Sequence, residues 1–160
     1  MPALPTGRQA LKKNLGLLLI KGASMLKKIS HVAIAVKNLE EAAHFYQNVL
    51  GLNLSGVEVV TVQKTKVGFL KIGESNIELV QPTEPDSPLT KFLETKGPGI
   101  HHLCLEVDDI EAEIKALLEK GATMIDQKPR PGAHHSRVAF IHPKSSHGVL
   151  IELVEPAKEP

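Results

Sequence analysis

Residues 77–82 read IELVQP and residues 151–156 read IELVEP. In each, a glutamate follows isoleucine and precedes Leu-Val, and the segment closes on proline. Working outward, residues 31–43 (HVAIAVKNLEEAA) and 102–114 (HLCLEVDDIEAEI) form a second matched pair. Each opens on histidine, alternates for six residues, meets Asn or Asp, and then takes up a helical pattern. His31 and Glu78 stand 47 residues apart, and His102 and Glu152 stand 50 apart. Matched segments at a nearly constant offset are the mark of an internal repeat. The chain therefore divides into two modules of similar length, each opening with a histidine strand and closing with a glutamate strand.

The local pattern of each module is βαβββ. His31 to Val36 alternates with period two, as a strand with one buried face does. Asn38 can cap the helix that follows, with Glu41 as its capping-box partner, and Gly51 ends that helix after about Leu50. Strands are expected near 57–62, 65–72 and 76–80, with a hairpin turn at Gly73 to Ser75. In the second module Asp108 or Asp109 caps a helix over 110–120, Gly121 terminates it, and strands are expected near 122–126, 136–142 and 148–154. The Pro- and Gly-containing segment 81–99 links the modules and holds a short helix near Pro88 to Thr95. The predicted fold class is α+β, with two tandem modules (about 26–97 and 98–157) in one domain, forming a curved sheet around a shared site.

Bulk properties narrow the function. With 160 residues, 42% hydrophobic and 23% charged, the chain has the composition of an ordinary globular domain. Four Phe, one Tyr and no Trp leave the core to Val, Ile, Leu and Ala. A formal charge of +1 gives no electrostatic case for nucleic acid or for an anionic membrane. The longest early aliphatic run, Leu17 to Ile20, is far short of the roughly 20 residues that a bilayer requires. One cysteine, Cys104, excludes an intrachain disulfide and a cysteine-rich zinc site.

Strand periodicity places the chemistry. Residues i and i+2 share a face, so His31, Ala33 and Ala35 lie on one side and Val32, Ile34 and Val36 on the other. His102, Cys104 and Glu106 likewise oppose Leu103, Leu105 and Val107. Glu78 lies opposite Ile77 and Leu79, and Glu152 opposite Ile151 and Leu153. The aliphatic faces should pack on the helices, leaving the His and Glu faces, with their small neighbours, to line a cavity. A single His or Glu in a strand is ordinarily a hydrogen-bonded or solvated residue. A matched His–Glu pair in both modules is different, because a buried carboxylate is unfavourable unless paired or metal-bound. Two imidazoles and two carboxylates suit divalent Zn, Co, Ni, Mn or Fe. The expected ligand set is His31, Glu78, His102 and Glu152. Of the remaining histidines, His101 should point away from His102 and His44 should lie on a helix surface. Cys104 reads as a small filler.

The doubled βαβββ unit with these donors resembles the vicinal oxygen chelate superfamily, related to the glyoxalases. Segments HVAIAVKNLEEA, GESNIELVQP, DSPLTKFLE, GIHHLCLEVDDIE and HPKSSHGVLIELVE resemble the methylmalonyl-CoA epimerase family within it, over about residues 26–156. That resemblance implies a metal-dependent isomerase that exchanges the (2R) and (2S) forms of methylmalonyl-CoA. A proton would leave and return at C2 through an enolate stabilised by a chelating metal. It implies one divalent ion per chain (cobalt, Mn, Ni, Zn or Mg), an acyl-CoA substrate, a homodimer and a role in propionate metabolism. It places the metal ligands on the same four residues and gives Glu152 a second role as acid/base. Gln63, His134 and Lys144 become substrate-contact candidates.

The family often carries Gln where this chain has Glu78. An acidic residue common before the third strand is replaced here by Val62, which leaves the second acid/base group unassigned. Glu58 is near in sequence but off the motif. The loop Gly132-Ala133-His134-His135 also lacks a further glycine common in the family.

Two rivals share the fold: a glyoxalase I-type lactoylglutathione lyase and a metal-free binding module. The HPKSSHGVLIEL segment favours the epimerase over the lyase. Residues 1–25 are expected to be an extension outside the fold of a cytoplasmic protein. Their basic, acid-free composition also fits a transit peptide and a mitochondrial location.

Overall fold

The structure, a computed structural model, describes residues 25–158. Expectations for residues 1–24 therefore lie outside the described residues. Strand β1 is Leu26–Ala35. Helix α1, Leu39–His44, starts where the Asn38 side chain accepts from the Glu41 N–H at 2.8 Å. It continues as one wider turn, Phe45–Val49, rather than as the regular helix expected to Leu50. In that turn Tyr46 packs on the core while Phe45 and Val49 stay exposed. Strands β2 (Leu54–Val60), β3 (Thr65–Ile72) and β4 (Ser75–Pro82) complete the first module. Helix α2 is Pro88–Lys96, capped by Ser87.

The second module comprises β5 (Gly99–Val107), α3 (Ile110–Glu119, capped by Asp109), β6 (Arg130–Pro131), β7 (Arg137–Ile141) and β8 (Ile151–Glu155). Gly51 and Gly121, with φ of +72° and +85°, end the equivalent helical segments in the left-handed region, which glycine enters without a Cβ clash. The strand expected at 122–126 does not form. Met124 makes a single bridge to Ile141, and the module's outer strand is the two-residue β6. Pro129 and Pro131 lack the N–H that a longer ladder needs, which confines this segment to a short edge.

All eight strands join one sheet in the order β2-β3-β4-β1-β5-β8-β7-β6. Read outward from the centre, each module contributes its strands in the same order: first, fourth, third, second. The central pair β1–β5 is antiparallel, and β1–β4 and β5–β8 are parallel. Val32 lies opposite Leu103, its own counterpart in the repeat, so a pseudo-twofold axis passes through that pair.

The aliphatic faces are covered by helices, as the alternation predicts. Val36, Leu70 and Leu79 pack against Leu39 and Ala43 of α1. Val107, Ala139, Ile141 and Leu153 pack against Ile110 and Ile114 of α3. On the opposite face, Ala33, Ala35, Val67, Phe69 and Val80 meet Leu89 and Leu93 of α2. The sheet curls round this second face until its edges meet. Gln63, just past β2, donates to the Pro131 carbonyl of β6 at 3.3 Å, although β2 and β6 are the outermost strands.

Leu39 is fully buried between α1 and the sheet, whereas Ile100 is 71% exposed. Leu39→Ala should lower stability by about 2–5 kcal/mol. Ile100→Ala should change it by less than about 0.5 kcal/mol. Urea unfolding of the two variants checks the contrast, and equal losses would contradict this account of the core.

Candidate metal centre

The twofold relation of β1 and β5 brings the two histidines together. His31 lies opposite Cys104, and Ala33 lies opposite His102. Each imidazole thus faces a small residue across the strand pair, which leaves both rings room over the axis. The flanking parallel strands repeat one register: Glu78 sits beside Ala33, and Glu152 beside Cys104. All four side chains emerge on the inner face of the curl and are at most 9% exposed.

Three of the four meet at one point. The two Nε2 atoms of His31 and His102 are 3.2 Å apart. Glu152 Oε2 lies 2.6 Å from His102 Nε2 and 3.4 Å from His31 Nε2. Donors bound about 2.0–2.2 Å from a divalent ion stand roughly 3 Å from one another, so this spacing suits a shared ion. Hard carboxylate and borderline imidazole donors suit it chemically as well. Glu78 reaches the cluster from the side: its Oε1 is 3.2 Å from His31 Nδ1, not at the Nε2 point. In that position it fixes the tautomer and ring orientation of His31, with Ser30 Oγ also 3.2 Å from Nδ1. The sulfur of Cys104 falls within 4.8 Å of the His31 and Glu152 donor atoms. Burial pushes its thiol pKa well up, with Glu152 and Glu78 adding to the effect, so it fills space rather than acting as a nucleophile.

His101 departs from the expected alternation. The β1–β5 register runs from Ala33–His102 to Ile34–Ile100 and skips His101, which is therefore a bulged residue. Bulges re-aim side chains, and His101 turns its Nδ1 to 2.8 Å from His102 Nδ1. Burial, followed by the charge of His102, lowers its pKa to about 4, so it stands neutral and can accept a hydrogen bond from the ring behind the metal-facing nitrogen.

Electrostatics separate the two glutamates. Burial pushes Glu78 up to about 7, with Glu152 and Glu58 adding to the shift and His31 partly opposing it. Burial acts on Glu152 too, but the charges and hydrogen bonds of His102 and His31 outweigh it and hold that carboxyl below its usual range. His31 is raised: burial lowers it, and Glu152 and Glu78 together more than compensate.

Two cavities flank the cluster. One, of about 180 Å³, is lined by His31, Glu78, Glu152, Phe69, Ser136 and His134 among others. The other, of about 240 Å³, reaches His101, His102, Phe140 and Arg130. Gln63 and Val67 line both. The structure thus brings Gln63 and His134 to the cluster. Lys144 does not arrive there: it is exposed in the turn Pro143–Ser145 and lines neither cavity.

Phe69 and Phe140, beside Glu78 and Glu152 in register, were not expected as site residues. Their signal lay in the scarcity of aromatics: each glutamate strand is preceded by a strand with a single phenylalanine. Ser136 and Asn76 carried no signal.

The model of the Glyoxalase/Bleomycin resistance protein/Dioxygenase superfamily matches residues 30–140, and the chain belongs to that superfamily. Relatives over most of its length include several methylmalonyl-CoA epimerases. The mitochondrial methylmalonyl-CoA epimerase of Dictyostelium discoideum is 43% identical, over 85% of this chain and 82% of its own length. The ethylmalonyl-CoA/methylmalonyl-CoA epimerase of Cereibacter sphaeroides is 42% identical, over 81% of this chain and 98% of its own. The structure of Streptomyces coelicolor methylmalonyl-CoA epimerase in complex with 2-nitronate-propionyl-CoA superposes with a TM-score of 0.80 at 35% identity, covering 83% of this chain and 99% of that one.

Loading a cation onto this cluster must displace the proton that Glu78 holds up to about pH 7, and the proton on His31, whose pKa is raised as well. Affinity for a divalent ion should therefore rise with pH and weaken by roughly tenfold or more from pH 7.5 to pH 6. Calorimetric titration with Co²⁺ at the two pH values reads this, and a pH-independent affinity would contradict it. His102→Ala should abolish tight binding, together with the rise in melting temperature that a native-state ligand confers.

Proposed function

We propose that this protein is a metal-dependent methylmalonyl-CoA epimerase, interconverting the (2R) and (2S) forms by removing and returning the C2 proton. The observation that carries this reading is Glu152: a carboxylate 6% exposed, held ionised between His31 and His102, on the wall of a cavity. C2 of the substrate lies between a thioester carbonyl and a carboxylate, so its proton is acidic for a C–H bond. A divalent ion on His31, His102 and Glu152, with Glu78 as fourth donor, would supply Lewis-acid stabilisation of the charge that develops on the carbonyl oxygen.

The chain's own groups do the rest. Glu152 takes the proton at C2 from the ionised form in which His102 and His31 hold it. His101 behind His102 holds that ring in place, and Glu78 orients His31 until it turns to the ion as fourth donor. Phe69 and Phe140 keep water from the walls. Gln63 stands between the two cavities, where an acyl chain would pass. Lys144, exposed and outside both, is assigned to the phosphate end of a CoA substrate.

Family resemblance and the open strand edges support a homodimer, which light scattering at micromolar concentration tests. Residues 26–157 are taken as one domain, in a cytoplasmic protein.

Glu152→Gln keeps an oxygen donor but removes the charge and the basicity. Turnover should fall by at least ~10²-fold while some metal is retained. Glu78→Gln should be far milder. Epimerisation of methylmalonyl-CoA in deuterated water, with metal content measured on each variant, checks both expectations. Equal losses at equal metal content would remove the proton-transfer role from Glu152.

A further inference from the structure

Epimerisation needs a second acid/base group on the far side of C2 from Glu152, and the sequence leaves it unassigned. The cavity that holds Glu152 narrows the choice. Among the described residues, its titratable lining groups are His31, Glu78, Glu152 and His134. The first three belong to the donor cluster, so His134 is the group left over.

His134 is not placed there casually. Its backbone is left-handed, φ +53° and ψ +37°, a conformation unfavourable for a residue with a Cβ. Two contacts hold it. Its N–H donates to Glu58 Oε2 at 3.0 Å, and its ring lies over Phe69 with centroids 4.3 Å apart. Phe69 is the register neighbour of Glu78, so the ring sits above the donor cluster on the side of the first module. The same Glu58 carboxylate lies 3.6 Å from His134 Nε2. The loop carrying His134 comes from the second module and crosses to β2 and β3 of the first. It thereby lines the same cavity as Glu152, which rises from β8. The His134 side chain is 69% exposed, so its proton can equilibrate with water between turnovers.

Resting on the epimerase reading above, we propose that His134, positioned by Glu58, is the acid/base group facing Glu152 across C2 of the bound thioester. In one direction Glu152 takes the C2 proton. The C–H electron pair moves into the enolate, and the His134 imidazolium delivers a proton to the opposite face. In the other direction neutral His134 takes the proton and protonated Glu152 returns one. One proton leaves and one arrives at C2, with no change of oxidation state. Glu58 acts through His134 and is a positioning residue.

The test uses the metal-loaded protein with each pure epimer in deuterated water. Rates of epimerisation and of deuterium uptake at C2 are followed for wild type, His134→Ala, His134→Gln and Glu58→Gln, with melting temperature and metal content alongside. Both His134 variants should lose epimerisation by at least ~10²-fold with metal content unchanged. Deuterium uptake should disappear from the one epimer whose proton faces the loop. Added imidazole should restore turnover to His134→Ala. Glu58→Gln should lower kcat with KM unchanged, and its exchange loss should fall on the same epimer. Epimerisation within threefold of wild type in either His134 variant would overturn the pairing. So would equal loss of exchange from both epimers, or loss of metal from the variants. A wild-type protein that neither epimerises nor exchanges would overturn the underlying epimerase reading as well. A wild type that turns over beside unimpaired His134 variants overturns this pairing alone.

Discussion

The antiparallel pairing of β1 with β5 is the constraint on which the rest depends. Val32 against Leu103 fixes the axis, and one residue to either side puts His31 against Cys104 and Ala33 against His102. Slipping this register by one residue would turn both imidazoles toward the helices and the aliphatic residues into the cavity. The large Ile, Leu and Val faces under α1 and α3 make that slip very unfavourable, since each buried side chain contributes about 1.5–3 kcal/mol. Hydrophobic packing on the outer face thus positions the polar cluster on the inner face.

The inner face carries four buried ionisable side chains where apolar ones would be more stable. Each is tolerated because it has a partner: Glu152 with both rings, Glu78 with His31, and His102 with His101. The same arrangement separates two carboxyls with the same intrinsic chemistry. Glu152, hydrogen-bonded between two imidazoles, stays ionised. Glu78, with one partner and with carboxylates nearby, holds its proton to about 7. Environment, not residue type, gives the two glutamates different work.

Curvature completes the site. A flat sheet of eight strands would leave β2 and β6 at opposite ends. Here Gln63 meets Pro131, and Glu58 meets the His134 loop. The walls of the first cavity come from both modules, although its floor is the central strand set. A repeat that builds a pseudo-symmetric floor is in this way closed by loops that are not symmetric, and groups without a counterpart enter the site through those loops.

Much of this was legible in the chain itself. Period-two alternation assigned His31, His102, Glu78 and Glu152 to one face, and the repeat paired them, because side-chain direction along a strand is a local property. Capping by Asn38 and Asp109 was local too. Other features depended on contacts between separate segments, which no local pattern encodes. The bulge at His101 overrode alternation because the β1–β5 register shifts there. The outer strand of the second module shortened to Arg130–Pro131. Glu78 came to rest on His31 Nδ1 rather than at the Nε2 point, and Glu58 met His134 only because the sheet edges close. By itself the sequence determined which residues share a face and which chemistry they offer. The tertiary structure decided which of them touch, because register, bulge and closure arise from packing between the modules.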